Sequence, residues 1–497
     1  MNPDAVVPNA MPTTDPGSVR LACVGEAPAV EECSWRHCIS QGHGYAGEHW
    51  QNRERVTRDR CPLCGSQQWA ERPTPFVGES GRLLNDLLRD VGLPRERCWV
   101  GNVSRHPLRE GEKTLEHCKG GLSRLAYDLS QFRPNCVLVL GNLALAAFIG
   151  EGHSVTAWRG SIVQGGVGDF GCKVVVGVHP AAILREPSQL ALLRHDVARA
   201  VAEAAHPGLD VPQHVVDAPS DPDEVIAKLR AMQAVQQPVG HDIEGGCDVG
   251  VTVCSFADSP THALSIPFKR MNWTDVWSKS AAEAILSAIQ AIHADPGVPK
   301  VMHSGMYELF AWRWLHGFQV RNVHDSMLAF HVLLPEIDKA LDVVASLYTR
   351  QPYWGTTKDW TCDADRDLYN CIDSCVCLEA FQAILYEMTP RDDMKPHERE
   401  LAIARLAYYR HQVALLEPCL EMSYVGLRYD SDKRDAMVAA LEREVWTLGG
   451  ELDSLAGIPL PSFADVREAV AMKVKWAKCS DWPDLLTFAK PSMKEAL

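Results

Sequence analysis

What the chain lacks narrows its function first. In 497 residues no apolar run reaches the about 20 residues that cross a bilayer, and no charged-then-apolar leader opens it. Neither a membrane span nor a secretory signal is expected. Positive charge is also short, with 49 Lys+Arg against 64 Asp+Glu and a net charge of −15. Residues 1–205 carry 22 of each sign, so the whole deficit falls in the remainder. A polyanion would therefore be met by local basic spots, not by a global field. Clustered carboxylates in the acidic part would instead suit divalent cations. There is no internal repeat. Cysteine is plentiful at 17, but without a secretory leader a disulfide framework is not expected. Most of these cysteines are expected as buried thiols.

Length and a 46% hydrophobic content allow two or three domains with ordinary cores. Residues 1–18, rich in Pro, Asn and Thr, are expected to be disordered. From 19 to 205 the runs LACVGE, RCWVGNV, CVLVLG and KVVVGVH each end in Gly or a polar residue, the pattern of buried parallel strands. Leu83, Leu84, Leu87, Leu88 and Val91 share one helical face, and Gly92 stops that helix. Residues 206–222 read as a linker. A second α/β unit follows over 223–394, with strands at Val239–Asp242, Val249–Phe256 and His262–Pro267. Helical stretches are expected around 280–293, 305–316, 325–348 and 366–388. Residues 395–497 read as a helical tail.

Four strings stand in order in the first unit: GEAPA from Gly25, PFVG from Pro75, GNV from Gly101 and HPA from His179. Each sits at or beyond a strand's C-terminal end, where open parallel sheets place ligands. A lone Phe after Pro is usually loop packing, a His before Pro an ordinary turn, and an Asn after a strand a cap. The order and spacing of all four outweigh those readings. Together they resemble the family 4 uracil-DNA glycosylases over nearly all of residues 20–200. That resemblance implies a pocket for an extruded base. Phe76 would stack on the base, Asn102 would hydrogen-bond its edge, and Gly25 and Gly78 would let backbone approach the nucleotide. His179 would stabilise the departing negative charge, and Glu26 would place or activate the nucleophile. Ala29 departs from the family's GEAPG.

The same resemblance implies a four-iron cluster on four cysteines, but no cysteine pair precedes GEAPA. An insertion over about 30–74 carries Cys33, Cys38, Cys61 and Cys64, and RCPLCGS within it reads as a metal knuckle. A tetrahedral zinc site on those four cysteines is one reading. A relocated 4Fe-4S cluster on Cys61, Cys64, His106 and Cys118 is a second, and reduced thiols holding no metal are a third.

In the second unit Asp242 and Glu244 stand i, i+2 on an expected strand, so both carboxylates point to one face. Asp373 adds a third, and Tyr369 lies one helical turn before it. Alone, D-x-E is often a solvated edge and Y-x3-D a surface pair. In this order and placement they resemble the DEDDy 3′–5′ exonuclease of family A DNA polymerases, and the stretch Asp325–Thr349 strengthens a phage-type likeness. The resemblance implies an RNase H-like α/β domain and two Mg2+ or Mn2+ held by Asp242, Glu244, Glu308 and Asp373, with Tyr369 orienting water. In HSGMYE, Ser304 replaces the family's Asn and Glu308 its metal-binding Asp. Asp325 would support the ligands.

From Glu417 the sequence resembles the start of a polymerase thumb, and no palm or fingers follow. The implied protein is a bifunctional repair and proofreading hydrolase. It would excise uracil from DNA, trim 3′ ends, and work in the cytoplasm, a host's if phage-encoded. A separate family A polymerase subunit would be its partner. The alternative is a DNA-binding accessory subunit of a split polymerase with weak or no glycosylase activity.

Overall fold

The computed structural model describes residues 19–26, 75–76, 78–104, 108, 114–355, 360–426 and 430–456, and the backbone of short strands within 36–71. β1 (Leu21–Gly25) is followed by β2 (Arg36–Cys38), β3 (Gly44–Ala46), β4 (Glu48–Gln51), β5 (Glu54–Thr57) and β6 (Trp69–Glu71). These five short strands make a three-stranded sheet, β3-β2-β6, and a β4–β5 hairpin. Next come α1 (Glu79–Asp90), β7 (Trp99–Asn102), α2 (Leu115–Phe132), β8 (Cys136–Leu140), α3 (Asn142–Ile149) and α4 (Val155–Trp158). β9 (Ile162–Val167), β10 (Phe170–Gly177), α5 (Pro180–Arg185) and α6 (Leu190–Glu203) complete the first α/β part.

Its sheet runs β7-β1-β8-β10-β9, parallel except for the β9–β10 hairpin. Every residue of β1 and β8 is buried, as expected for central strands covered on both faces. The four apolar runs read from sequence are these parallel strands. β9 was not distinguished, because its Gln164-Gly165-Gly166 breaks the apolar run. Leu84, Leu87 and Leu88 of α1 are buried, and Gly92 leaves the helix at φ 78°.

The second part contains β11 (Val215–Asp217), α7 (Pro222–Val235), β12 (Val239–Gly246), β13 (Gly250–Ser259), β14 (His262–Pro267), α8 (Lys279–Ala294) and β15 (Lys300–Met302). It continues with α9 (Met306–His316), β16 (Val323–Asp325), α10 (Ser326–Leu333), α11 (Leu341–Tyr348) and α12 (Asp363–Met388). The sheet order is β11-β14-β13-β12-β15-β16, with β12, β13 and β14 an antiparallel meander and β15 and β16 parallel to β12. The fold is α/β throughout these two parts. The helical stretch expected over 325–348 is two helices. Pro335 lies just after α10, where a missing N–H and a restricted preceding residue break the run.

α12 is long and apolar enough to cross a membrane, but most of its apolar stretch is buried inside the fold. It is the central core helix. A Cβ on Gly240 would lie 2.1 Å from the carbonyl oxygen of Ser374, so only glycine lets α12 cross β12 this closely. Ser255 Oγ of β13 locks the crossing, lying within hydrogen-bond distance of the Asn370 carbonyl (2.9 Å) and of Ser374 Oγ (3.0 Å).

α13 (Pro396–Ala414) and α14 (Leu416–Val425) follow. Tyr409 of α13 is buried, with its hydroxyl 3.3 Å from the Asp325 amide that donates to it. Residues Met1–Tyr424 form one compact unit and Val425–Leu497 a second, in which α15 (Ser431–Ala456) is described. That helix presents Val438, Leu441 and Trp446 to solvent.

Candidate functional sites

Parallel strands deliver the four N-terminal strings to one edge of the first sheet. Gly25 and Asn102 are register partners at the ends of β1 and β7. His179 follows β10 and caps α5, its Nδ1 accepting from the Ala181 amide at 3.2 Å. When neutral, that imidazole carries its proton on Nε2 and can donate from there. Phe76 reaches in from the loop before α1. Its ring stacks on His179, with 5.5 Å between centroids and 24° between planes. A Cβ on Gly25 would lie 2.4 Å from Phe76 Cζ and 2.6 Å from Asn102 Oδ1. Gly25, Phe76, Asn102 and His179 therefore converge.

The Phe76 backbone is strained, with φ 56°, a region that disfavours bulky residues. Two contacts impose it. Arg95 donates to the Phe76 carbonyl at 2.9 Å and to the Pro75 carbonyl, and also to Asn85 Oδ1 at 3.1 Å. Gly81 lies so close that a Cβ there would meet Phe76 O at 1.7 Å. Sequence reasoning missed Arg95, because it acts across 19 residues through backbone carbonyls that carry no sequence signal.

Glu26 lies beside the start of α3. Its Oε1 accepts from the Leu143 amide at 3.3 Å, and Gly141, at φ 97°, leaves space for it. Cys118 is buried, and burial raises its thiol pKa despite a hydrogen bond with Ser104. Cys33, Cys61, Cys64, His106 and the Cys38 side chain lie outside the described residues, as does Ala29.

The second site forms where α12 crosses β12. Asp242, Glu244 and Asp373 each offer a carboxylate oxygen, all within 4.8 Å of one another. Three carboxylates this close repel, and the Asp242 pKa shows it. Burial raises it well above the usual range, and Asp373, Glu308 and Glu244 add to the rise. Asn370 partly offsets this by donating to Asp242 Oδ2 at 2.6 Å. Trp354 donates from Nε1 to Asp373 Oδ1, also at 2.6 Å.

Glu308 is not one of the three converging ligands. It lies 4% exposed on α9, with its pKa pushed up to about 8 by burial first and then by Asp325, Glu244 and Asp373. Its Oε2 has no hydrogen-bond partner among the described residues, and neither has Asn370 Oδ1. An uncompensated buried Glu308 oxygen beside repelling carboxylates fits a divalent cation. Burial also raises the Tyr369 pKa, reinforced by Asp373 and Glu244, so the phenol keeps its proton while it hydrogen-bonds Asp373.

Asp325 is 1% exposed and does not reach the three ligands. Its carboxylate accepts from the Ser304 and Gly305 amides (3.3 and 2.8 Å) and from Met327 and Leu328 (2.8 and 3.1 Å). It thereby ties the turn that starts α9 to the start of α10 and fixes where Glu308 projects. Ser304 adopts φ 60° in that turn, a conformation Asn tolerates better than Ser. Asn370 could have been noticed inside YNCID, since it adjoins Tyr369. Trp354 gave no signal.

Residues 11–204 match the uracil DNA glycosylase superfamily. The chain carries a domain of that superfamily. It is 32% identical over 119 residues to the type-4 uracil-DNA glycosylase of Archaeoglobus fulgidus, covering 23% of this chain and 59% of that protein. Against the type-4 uracil-DNA glycosylase of Thermotoga maritima it is 35% identical over 117 residues, with the same coverage. The chain thus spans less than two thirds of either relative. Among solved structures it is similar to the POL domain of Pol1 from M. smegmatis in complex with DNA primer-template and dNTP. That likeness has a TM-score of 0.35 and 16% identity, over 50% of this chain and 38% of the other. The catalytic core of RRP6 from Trypanosoma brucei gives 0.31 and 12%, over 42% and 54%. Likenesses this weak assign neither fold nor activity, so the second site rests on its own geometry.

Proposed function

We propose that this chain is a bifunctional DNA-processing hydrolase that releases uracil from DNA at its first site and removes 3′-terminal nucleotides at its second. The observation that carries the first activity is the convergence of Gly25, Phe76, Asn102 and His179 at one sheet edge within a uracil-DNA glycosylase superfamily domain. An extruded uracil would stack on Phe76, and the Asn102 amide would pair with its N3–H and O4 edge. The His179 Nε2 proton would stabilise charge on the departing base. Glu26, beside the start of α3, would orient the water.

The second activity is supported by the packing of Asp242, Glu244 and Asp373 within 4.8 Å. These residues, with Glu308 alongside, would hold Mg2+ or Mn2+, which supply water activation and charge neutralisation at phosphate. The protein's part is to aim the ligands. Asn370 orients Asp242, Trp354 orients Asp373, and Tyr369, its proton bonded to Asp373, would accept a hydrogen bond from the attacking water through its phenol oxygen. The resemblance of the segment from Glu417 to a polymerase thumb makes a separate family A polymerase subunit the proposed partner.

The test is a 5′-labelled single strand with one internal uracil. Alkali-sensitive cleavage at that position reports uracil release, and Mg2+-dependent laddering from the 3′ end reports the nuclease. A gel shift with neither product would replace this reading with a DNA-binding accessory role.

A further inference from the structure

Between α10 and α12 the chain forms α11 and an extended stretch to Trp354, a strap that packs on α12 on one side and on the first part on the other. Gly160, at φ 78°, lets this strap come close, since a Cβ there would be 2.8 Å from the Ser346 carbonyl. Arg159, buried and paired with Asp196 (Nε to Oδ2, 3.2 Å), donates to Ser346 Oγ at 2.6 Å. Arg199 donates to the Leu347 carbonyl at 3.3 Å, and Arg350 pairs with Glu203 at 2.7 Å. The Tyr353 amide donates to Ser161 Oγ at 2.9 Å, and the Tyr353 ring packs on Trp158 with 5.7 Å between centroids. The next residue is Trp354. Its ring packs in one cluster with Ala345, Tyr369, Ile372 and Val376, and its indole N–H ends on Asp373.

Five contacts from the first part thus fix the residues leading to a side chain that touches a carboxylate of the second site. An interdomain seam needs no such endpoint. Packing alone would be met by any large apolar residue at 354, without an N–H on a ligand oxygen.

We infer that Trp354 is a positioning residue for the carboxylate centre, and that the uracil-DNA glycosylase superfamily domain holds it there through the strap 341–354. This rests on the reading of that centre as a divalent-cation site. An aspartate with one oxygen committed to a fixed donor presents the other in one orientation, and loss of such a donor weakens metal binding. The first domain is then a structural requirement of the nuclease, besides any activity of its own.

The test is Mn2+ binding to the full-length protein, read by electron paramagnetic resonance of free Mn2+, with no turnover involved. Trp354→Phe keeps the packing and removes the donor, and should weaken Mn2+ binding roughly tenfold. Ser161→Ala, in the other domain, should weaken it by a smaller factor, and the double variant should bind no worse than Trp354→Phe alone. Unchanged affinity in Trp354→Phe, or independent effects of the two substitutions, would overturn the inference. Asp242→Ala separates the two layers: if it leaves Mn2+ binding intact, the cation reading of the centre fails, and the inference with it.

Discussion

Phe76 and His179 lie ring over ring, 5.5 Å between centroids, in a gap too narrow for a base to enter. An extruded uracil must therefore take the open side of Phe76 or part the pair. Either way the aromatic face is what it meets. Phe76→Ala removes stacking of about 1–3 kcal/mol, so uracil release should fall roughly tenfold to a hundredfold, and Phe76→Tyr should retain most of it. Single-turnover release from a uracil-containing strand measures both.

The strained Phe76 backbone depends on Arg95 and Gly81. Arg95→Ala removes charged hydrogen bonds to two carbonyls and should cost about 1.5–3 kcal/mol of stability. It should also slow uracil release, although Arg95 is not proposed to touch DNA. Denaturant unfolding alongside the release assay checks this. Lost stability with unchanged release would separate the clamp from the site.

Much of both sites was legible in the sequence, because strands obey simple rules. Apolar runs ending in Gly mark parallel strand ends, which placed Gly25, Asn102 and His179 on one edge. The alternation of a strand put Asp242 and Glu244 on one face, and one helical turn joined Tyr369 to Asp373. What stayed hidden acts over long separations. Arg95 binds carbonyls 19 and 20 residues away, and Trp354 reaches Asp373 across a strap that the other domain also contacts. Glu308 was expected as a fourth ligand, yet its carboxylate lies outside the group of three converging ligands.

Glu308 gives the metal-free protein a pH signature. Its folded pKa is raised to about 8 from an ordinary value near 4.5, so its contribution to stability is full below about 4.5 and is lost as pH rises through about 8. Asp242 shifts in the same direction. The metal-free protein should melt lower at pH 8.5 than at pH 6, and Mn2+ should reverse that order. Glu308→Gln should raise metal-free stability at pH 8.5 by on the order of 1–3 kcal/mol. Calorimetric melts at both pH values, with and without Mn2+, decide it.

Tyr369→Phe removes the hydroxyl that bonds Asp373 and leaves the carboxylates in place. Laddering should slow about 100-fold, well beyond any loss of Mn2+ affinity, since the water loses its orienting phenol while Asp373 keeps its bond from Trp354. Equal loss of both would make the tyrosine a support of the cation site.

If two independent chemistries share this chain, single substitutions should separate them. The most direct measurement compares His179→Ala and Asp242→Ala on one labelled strand carrying a single uracil, with Mg2+. A crossover is expected: His179→Ala keeps the 3′ ladder and loses alkali-sensitive cleavage at the uracil, and Asp242→Ala does the reverse. If the two substitutions abolish the same product, or if Asp242→Ala leaves the ladder intact, the assignment of two separate sites is contradicted.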